Sequence, residues 1–223
     1  MSYITANAAP VSEARLCLPG TGAWHVDLLS PSADAITGAC DIDLGGALTL
    51  KGTVLTGGVY VESLHLRVVA GKGGWSTPCT AKYYAGASIG TILRDVLGMG
   101  GESLSAASDA SVLAVVPAAF PTTTGTVGAN VRALMNYAPA GTSWRFLPDG
   151  SFWVGPETWP AFGEDYQVMS EEPRERRVDV GFDVPTLLPG QTVVANAGDV
   201  LKVNHVETYV STKVMQARAW WQS

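Results

Sequence analysis

Charge is scarce in this 223-residue chain: only 15% of its residues are Asp, Glu, Lys or Arg, against about a quarter in an average soluble domain. Its 14 basic residues are outnumbered by 20 acidic ones, for a net charge of −6. Neither nucleic acid nor an anionic membrane is therefore expected as a primary partner. Cysteine is scarce too. Cys17, Cys40 and Cys79 are odd in number and form no CxxC pair, which argues against a secreted disulfide framework and for a reducing cytosol. Long apolar runs are missing. The longest, Val112–Phe120, is interrupted by Pro117, too short to span a bilayer, so no stable membrane insertion is expected. Residues 1–16 lack the basic start and apolar stretch of a signal peptide.

What is present is apolar. Hydrophobic residues make up 47% of the chain, which excludes disorder as the main state. The length suits one large or two small domains with a core that needs no disulfide. So large a surface with so few charges must be covered by small residues or buried against a partner.

Residues 1–21, with Pro10, Pro19 and Gly20, read as an irregular arm. Trp24–Leu29 reads as the first strand, and from Cys40 to Ala70 apolar and polar residues alternate as in a sheet, with turns at Gly45-Gly46 and Gly57-Gly58. The buried phase switches near Glu62-Ser63, from Val59 and Val61 to Leu64, Leu66 and Val68. One extra residue, a β-bulge, would account for it, and the stretch is read as a small antiparallel barrel or sandwich.

The middle changes character. Ser88 is placed to cap a helix whose apolar residues Ile89, Ile92, Leu93, Val96 and Leu97 form one stripe, stopped by Gly98. A second helix is predicted over Val127–Tyr137 and a strand at Val112–Val116. Ser143–Leu147 and Ser151–Val154 flank Pro148-Asp149-Gly150, a hairpin signal. The charge run Ser170–Arg177 carries both signs and reads as a solvated connection. Strands are predicted again at 178–184, Gln191–Ala195, Val200–Val210 and Lys213–Trp221. No internal repeat is evident.

Signals for chemistry are weak. The histidines His25, His65 and His205 belong to no metal-binding motif. His25 with Asp27, and His205 with Glu207, do each put an imidazole and a carboxylate on one strand face, and adjacent strands would make them a metal site; strand-surface polarity is the plainer account. A nucleophilic Cys79 would need a base and an orienting group. Gly71, Gly73 and Gly74 are followed by no GK[ST] and make no phosphate loop. Glu157, Glu164 and Asp165 would have to pair across a cleft for glycoside hydrolysis. No cofactor, metal or catalytic residue is expected. Seven tryptophans keep a carbohydrate-binding reading open. Trp220 and Trp221 are adjacent on a strand, so they point to opposite faces. Met215, Ala217, Ala219 and Trp221 share one face, and one of the two indoles needs a second buried surface. These five residues are the candidate subunit interface.

The stretches TVLTGGVYVESLHLRVV (53–69), SIGTILRDVL (88–97), WRFLPDGSFWVGPETW (144–159) and the terminal HVETYVSTKVMQARAWW, in this order, resemble a phage tail baseplate hub protein, a family related in fold to the trimeric base of type VI secretion spikes. The resemblance spans the chain from about residue 40 onward. It implies a mainly β fold with an α+β insert: an arm at 1–21, a β-barrel-like domain at 22–81, a two-helix plus hairpin module at 82–163 and a second β-barrel-like domain at 164–223. Two barrels per subunit give a homotrimer pseudo-sixfold symmetry, which would adapt a sixfold tail tube or distal tail protein to a threefold spike or tail-tip protein in the virion. Such hubs have no catalytic centre, and burial of roughly a few thousand Å² per obligate assembly is expected. A carbohydrate- or receptor-binding tail module and a peptidoglycan hydrolase are the rival readings.

Overall fold

The apolar–polar alternation becomes strands along most of the chain in the computed structural model, which describes residues 4–31, 35–182, 185–211 and 213–222. The first eight are β1 (Ile4–Ala6), β2 (Ala9–Val11), β3 (Glu13–Pro19), β4 (Thr21–Gly22), β5 (His25–Ser30), β6 (Ala39–Leu44), β7 (Leu48–Tyr60) and β8 (Ser63–Ala70). The middle holds β9 (Tyr83–Ala85), α1 (Ile89–Met99), α2 (Ala110–Ala114), β10 (Ala119–Pro121), α3 (Val127–Met135), β11 (Thr142–Phe146) and β12 (Phe152–Pro156). The last five strands are β13 (Tyr166–Glu172), β14 (Arg177–Phe182), β15 (Thr192–Val194), β16 (Val200–Ser211) and β17 (Met215–Gln222).

Twelve strands share one sheet in the order β13-β14-β17-β16-β3-β5-β8-β7-β6-β1-β2, with β15 also on β16. The sheet curls at both ends. Ser12 donates its backbone N–H to Leu29 O at 2.8 Å, and Ser30 Oγ donates to Pro10 O at 2.7 Å, which ties the end of β2 back to β5. At the other end Phe162 N donates to Thr192 O at 2.9 Å and Thr192 N to Pro160 O at 2.8 Å, bringing the approach to β13 against β15. The fold is mainly β: two barrel-like units with a small α+β insert. Leu16, Val26, Ile42, Leu50, Leu64 and Val68 are buried on the strands of the first; Val178, Val180, Val203, Val206, Ala217 and Ala219 are buried on those of the second, and all belong to one hydrophobic core cluster.

The two units meet where β3 pairs antiparallel with β16, from Glu13 opposite Ser211 to Pro19 opposite His205. The stretch read as an irregular arm therefore supplies four short strands. β1 and β2 are three residues each, too short for a period to register, and Asn7 and Ala8 turn between them in the left-handed region.

The phase change near Glu62-Ser63 has a different cause from the bulge expected. The chain reverses there: Tyr60 pairs with Ser63 across a two-residue turn, and the bulge sits earlier, between Val54 and Thr56. Gly57-Gly58 stays in the strand. Val112–Val116, expected as a strand, is helical through Ala114 because Asp109 Oδ1 accepts the N–H groups of Ser111 (2.8 Å) and Val112 (3.0 Å), a cap worth about 1 kcal/mol. The charge run Ser170–Arg177 is only partly a connection: Ser170–Glu172 belong to β13 and Arg177 opens β14. The strand expected at 178–184 is β14, and the last two of those positions lie outside the described residues.

The two expected helices and the hairpin form, but α2 makes a third helix, β9 and β10 pair beside them, and α1 runs through Gly98 to Met99. Ser88 Oγ accepts the N–H of Thr91 at 3.2 Å and caps α1, whose predicted stripe is fully buried. Thr126 caps α3 through Ala129 N–H at 3.2 Å. β11 and β12 form the expected hairpin, with β4 added in parallel to β11. Trp75 joins helices to hairpin. Its ring stacks on Phe152 at 5.6 Å, meets Phe146 edge-on at 5.4 Å, and lies so close to Gly128 of α3 that a Cβ there would stand 2.5 Å from the indole.

Candidate functional site

β17 lies between β14 and β16, so its two faces are an interior and an exterior. Ala217 and Ala219, 1% and 0% exposed, face inward opposite Val180 and Val178. Met215 and Trp221 sit half-buried at the two ends of the same inward face and pack on the core. Trp220 points outward. Its ring lies 5.0 Å from that of His205, and Arg177 stands opposite it on β14. Of the five candidate interface residues, Ala217 and Ala219 are thus covered by their own chain, and Trp220 is the one on the outer face.

A second apolar feature was not singled out from the sequence. The β7–β8 hairpin carries Leu55, Val59, Tyr60 and Val61 in the open, Tyr60 at 72% and Val61 at 76% exposure. Tyr60 touches His65 edge-on at 6.4 Å. A groove of about 350 Å³ runs beside the hairpin, lined by Ile36, Val54, Leu55, Val59, Leu64 and Leu66. The signal was present, since Val59-Tyr60-Val61 is an unbroken apolar triplet at a strand end, but it was read as barrel interior.

Around the β3–β16 seam the outer face is polar. Asp27 and Arg67 form a bidentate pair at 2.7 Å, and this guanidinium holds the Asp27 carboxyl below the usual carboxylate range. His25 and His205 come to this one face, separated by β3, which puts Cys17 between them: Cys17 pairs with His25 on one side and Glu207 on the other. Cys17 Sγ is 4.0 Å from His205 Nε2, which is 3.4 Å from Glu207 Oε1. Burial pushes the Cys17 thiol up, as do the Glu207 and Asp27 carboxylates. Burial, then Arg67, pushes His25 down.

Of the remaining sequence candidates, Glu164, Asp165 and His65 are exposed, and the others are engaged within the chain. Cys79 is buried, and burial raises its thiol, the opposite of what a nucleophile needs. Glu157 is ion-paired with Arg145, which also lies 4.9 Å from the Trp153 ring. Trp153 Nε1 donates to Ala107 O at 3.1 Å, and Lys202 lies over Trp159 at 5.5 Å. The turn that holds Gly71, Gly73 and Gly74 does form an anion cradle, from the N–H groups of Lys72 and Gly74, and a side chain of the protein fills it. Glu102 Oε1 accepts the N–H of Gly74 at 2.7 Å and Oε2 that of Lys72 at 2.9 Å. Successive backbone N–H groups in such a turn favour a carboxylate as they would a phosphate.

No family model matches the sequence, and no curated protein matches it. Solved structures do resemble the fold. The 43 kDa tail protein of prophage MuSo2 from Shewanella oneidensis superposes with a TM-score of 0.69 at 10% identity, covering 97% of this chain and 95% of that one. The Escherichia coli c3393 protein, a type VI secretion component described as structurally similar to the T4 tail proteins gp27 and gp5, gives 0.68 at 12% identity over 99% and 77%. A tail protein from Neisseria meningitidis MC58 gives 0.62 at 11% identity over 97% and 95%. The chain has the fold of phage tail proteins and of a type VI secretion component. Among the described residues, no helix is long and apolar enough to cross a membrane.

Proposed function

We propose that the protein is a structural component of a phage tail, a baseplate hub that closes into a homotrimeric ring and adapts a sixfold tail tube or distal tail protein to a threefold spike or tail-tip protein. The observation that carries this reading is the fold likeness to tail proteins over nearly the full length of both chains. Two curled β units fused through one sheet are what a trimer needs to offer six similar positions around an axis. In this reading the units are the domains at 22–81 and 164–223, with 82–163 between them, and residues 4–19 add strands to the first. The role is mechanical and not enzymatic.

The ring would bury the apolar surface that the chain leaves open. Trp220 on the outer face of β17 and the exposed β7–β8 hairpin are the two places for subunit or tube contact, with Met215 and Trp221 at the rim. Solution mass decides the question. A particle of about 70 kDa, three times the 23.3 kDa chain, alone or on adding the tail tube protein, is the expected result. A strictly monomeric chain at high concentration in the presence of tube and spike proteins would refute the hub.

A further inference from the structure

We propose that Cys17, His205 and Glu207 form a zinc site on the outer face of the seam between β3 and β16. The three ligand atoms lie within 4.8 Å of one another. A thiolate, an imidazole and a carboxylate are the donor set for a borderline-soft divalent ion. A tetrahedral zinc ion sets sulfur and nitrogen about 3.6 Å apart and nitrogen and oxygen about 3.3 Å apart. The distances here are 4.0 Å and 3.4 Å, with the sulfur and the carboxylate oxygen within 4.8 Å of each other, so rotation of the Cys17 side chain has to bring its sulfur closer to both partners. The fourth position falls to water; His25, opposite Cys17 on β5, is not among the ligand atoms that cluster here.

The backbone is arranged for this. Strict alternation from the buried Val203 would send His205 into the barrel. A bulge between Val203 and His205 adds one residue and turns the imidazole outward, onto the face of Glu207 and Cys17. Bulges re-aim side chains in this way at functional positions. Gly20 makes room for it, since a Cβ there would lie 2.2 Å from Asn204 Oδ1 and 2.3 Å from Asn204 O. The Trp220 ring then backs the imidazole at 5.0 Å.

Charge also balances. Zn²⁺ with one thiolate and one carboxylate is neutral, and the Cys17 thiol proton leaves to solvent on binding. Arg218 stands opposite Glu207 on β17, and Arg15 is a neighbour in the same shallow depression; loading exchanges one proton for Zn²⁺, so the single negative charge that faces these arginines becomes a neutral site, one unit more positive than before. The metal would join residues 188 positions apart and clamp one β unit to the other.

The test uses the full chain stripped of metal with a chelator, then titrated with Zn²⁺ by calorimetry and with Co²⁺ by absorption. One ion per chain is expected, with a thiolate-to-cobalt charge-transfer band. At a hundredfold excess over Kd the melting temperature should rise by roughly 5–10 °C. Cys17→Ser should abolish the band, and both Cys17→Ser and Glu207→Gln should weaken zinc binding at least about tenfold, since loss of even a supporting partner costs 10–100-fold. Should Cys17→Ser fail to fold by circular dichroism, His205→Gln replaces it in the affinity test, with the same loss expected. Substoichiometric zinc, a cobalt complex without the band, or unchanged affinity in the folded variants would overturn the site.

Discussion

Glu102 reaches from the loop after α1 to the backbone of Gly74, its Oε1 accepting that N–H at 2.7 Å. The carboxylate is 7% exposed and accepts from Lys72 N–H as well. Removing it would leave buried donors unpaired. Glu102→Ala should destabilise the chain by about 1–3 kcal/mol, and denaturant unfolding measures it. Gly71→Ala should do likewise, because its Cβ would stand 2.2 Å from Glu102 Oε2 at a φ of +64°.

The hairpin tip is strained. Val61 and Glu62 adopt φ of 48° and 61°, the geometry that Asn-Gly takes without cost. Replacing the pair by Val61→Asn with Glu62→Gly should stabilise the monomer by about 1 kcal/mol, read from the unfolding midpoint. An unchanged or lower midpoint would show that the turn is held by contacts other than its own backbone.

In the trimer reading that exposed tip has a use. Tyr60→Lys with Val61→Lys, and separately Trp220→Ala, should shift the solution mass from about 70 kDa towards the 23.3 kDa chain while leaving the melting temperature within a few degrees, because all three side chains lie outside the core. Cutting after Lys213 is a different experiment. It removes β17 from between β14 and β16 and should unfold the second β unit, visible as lost β signal in circular dichroism.

Acid should weaken one contact in a defined direction. The Lys82 ammonium, then Tyr84, holds the Asp95 carboxyl below its ordinary 3.8. Its contribution is therefore present above about pH 4 and is lost as pH falls through the lowered folded value. The Lys82–Asp95 pair is partly exposed, so the effect is under about 1 kcal/mol. Lys82→Met should lower stability at pH 7 and leave it nearly unchanged at pH 2, as two denaturation curves would show.

Local signals were legible and long-range ones were not. Ser88 and Thr126 cap helices through bonds to residues three positions on, and Pro148-Asp149-Gly150 turns its own hairpin, so the insert could be read from neighbours. The arm could not. β3 owes its place to β16 and β5, and nothing within residues 13–19 names partners so distant. The candidate site divided the same way. Alternation put Trp220 and Trp221 on opposite faces, as observed, but which face was interior depended on β14 and β16. His25 and His205 were noticed as strand-face pairs. Cys17 was missed because only the sheet order sets it between them.

The β3–β16 seam also orders events in time. Until residue 200 and beyond are made, β3 has one row of backbone hydrogen-bonding groups with no partner, an open strand edge of the sort that recruits other chains. Closing it requires bringing together segments on either side of the whole insert, a slow step by its loop length alone. In the trimer reading, ring closure would wait on this late-arriving strand: a copy that has not yet sealed the gap would be both unready to join its siblings and most at risk of joining them wrongly.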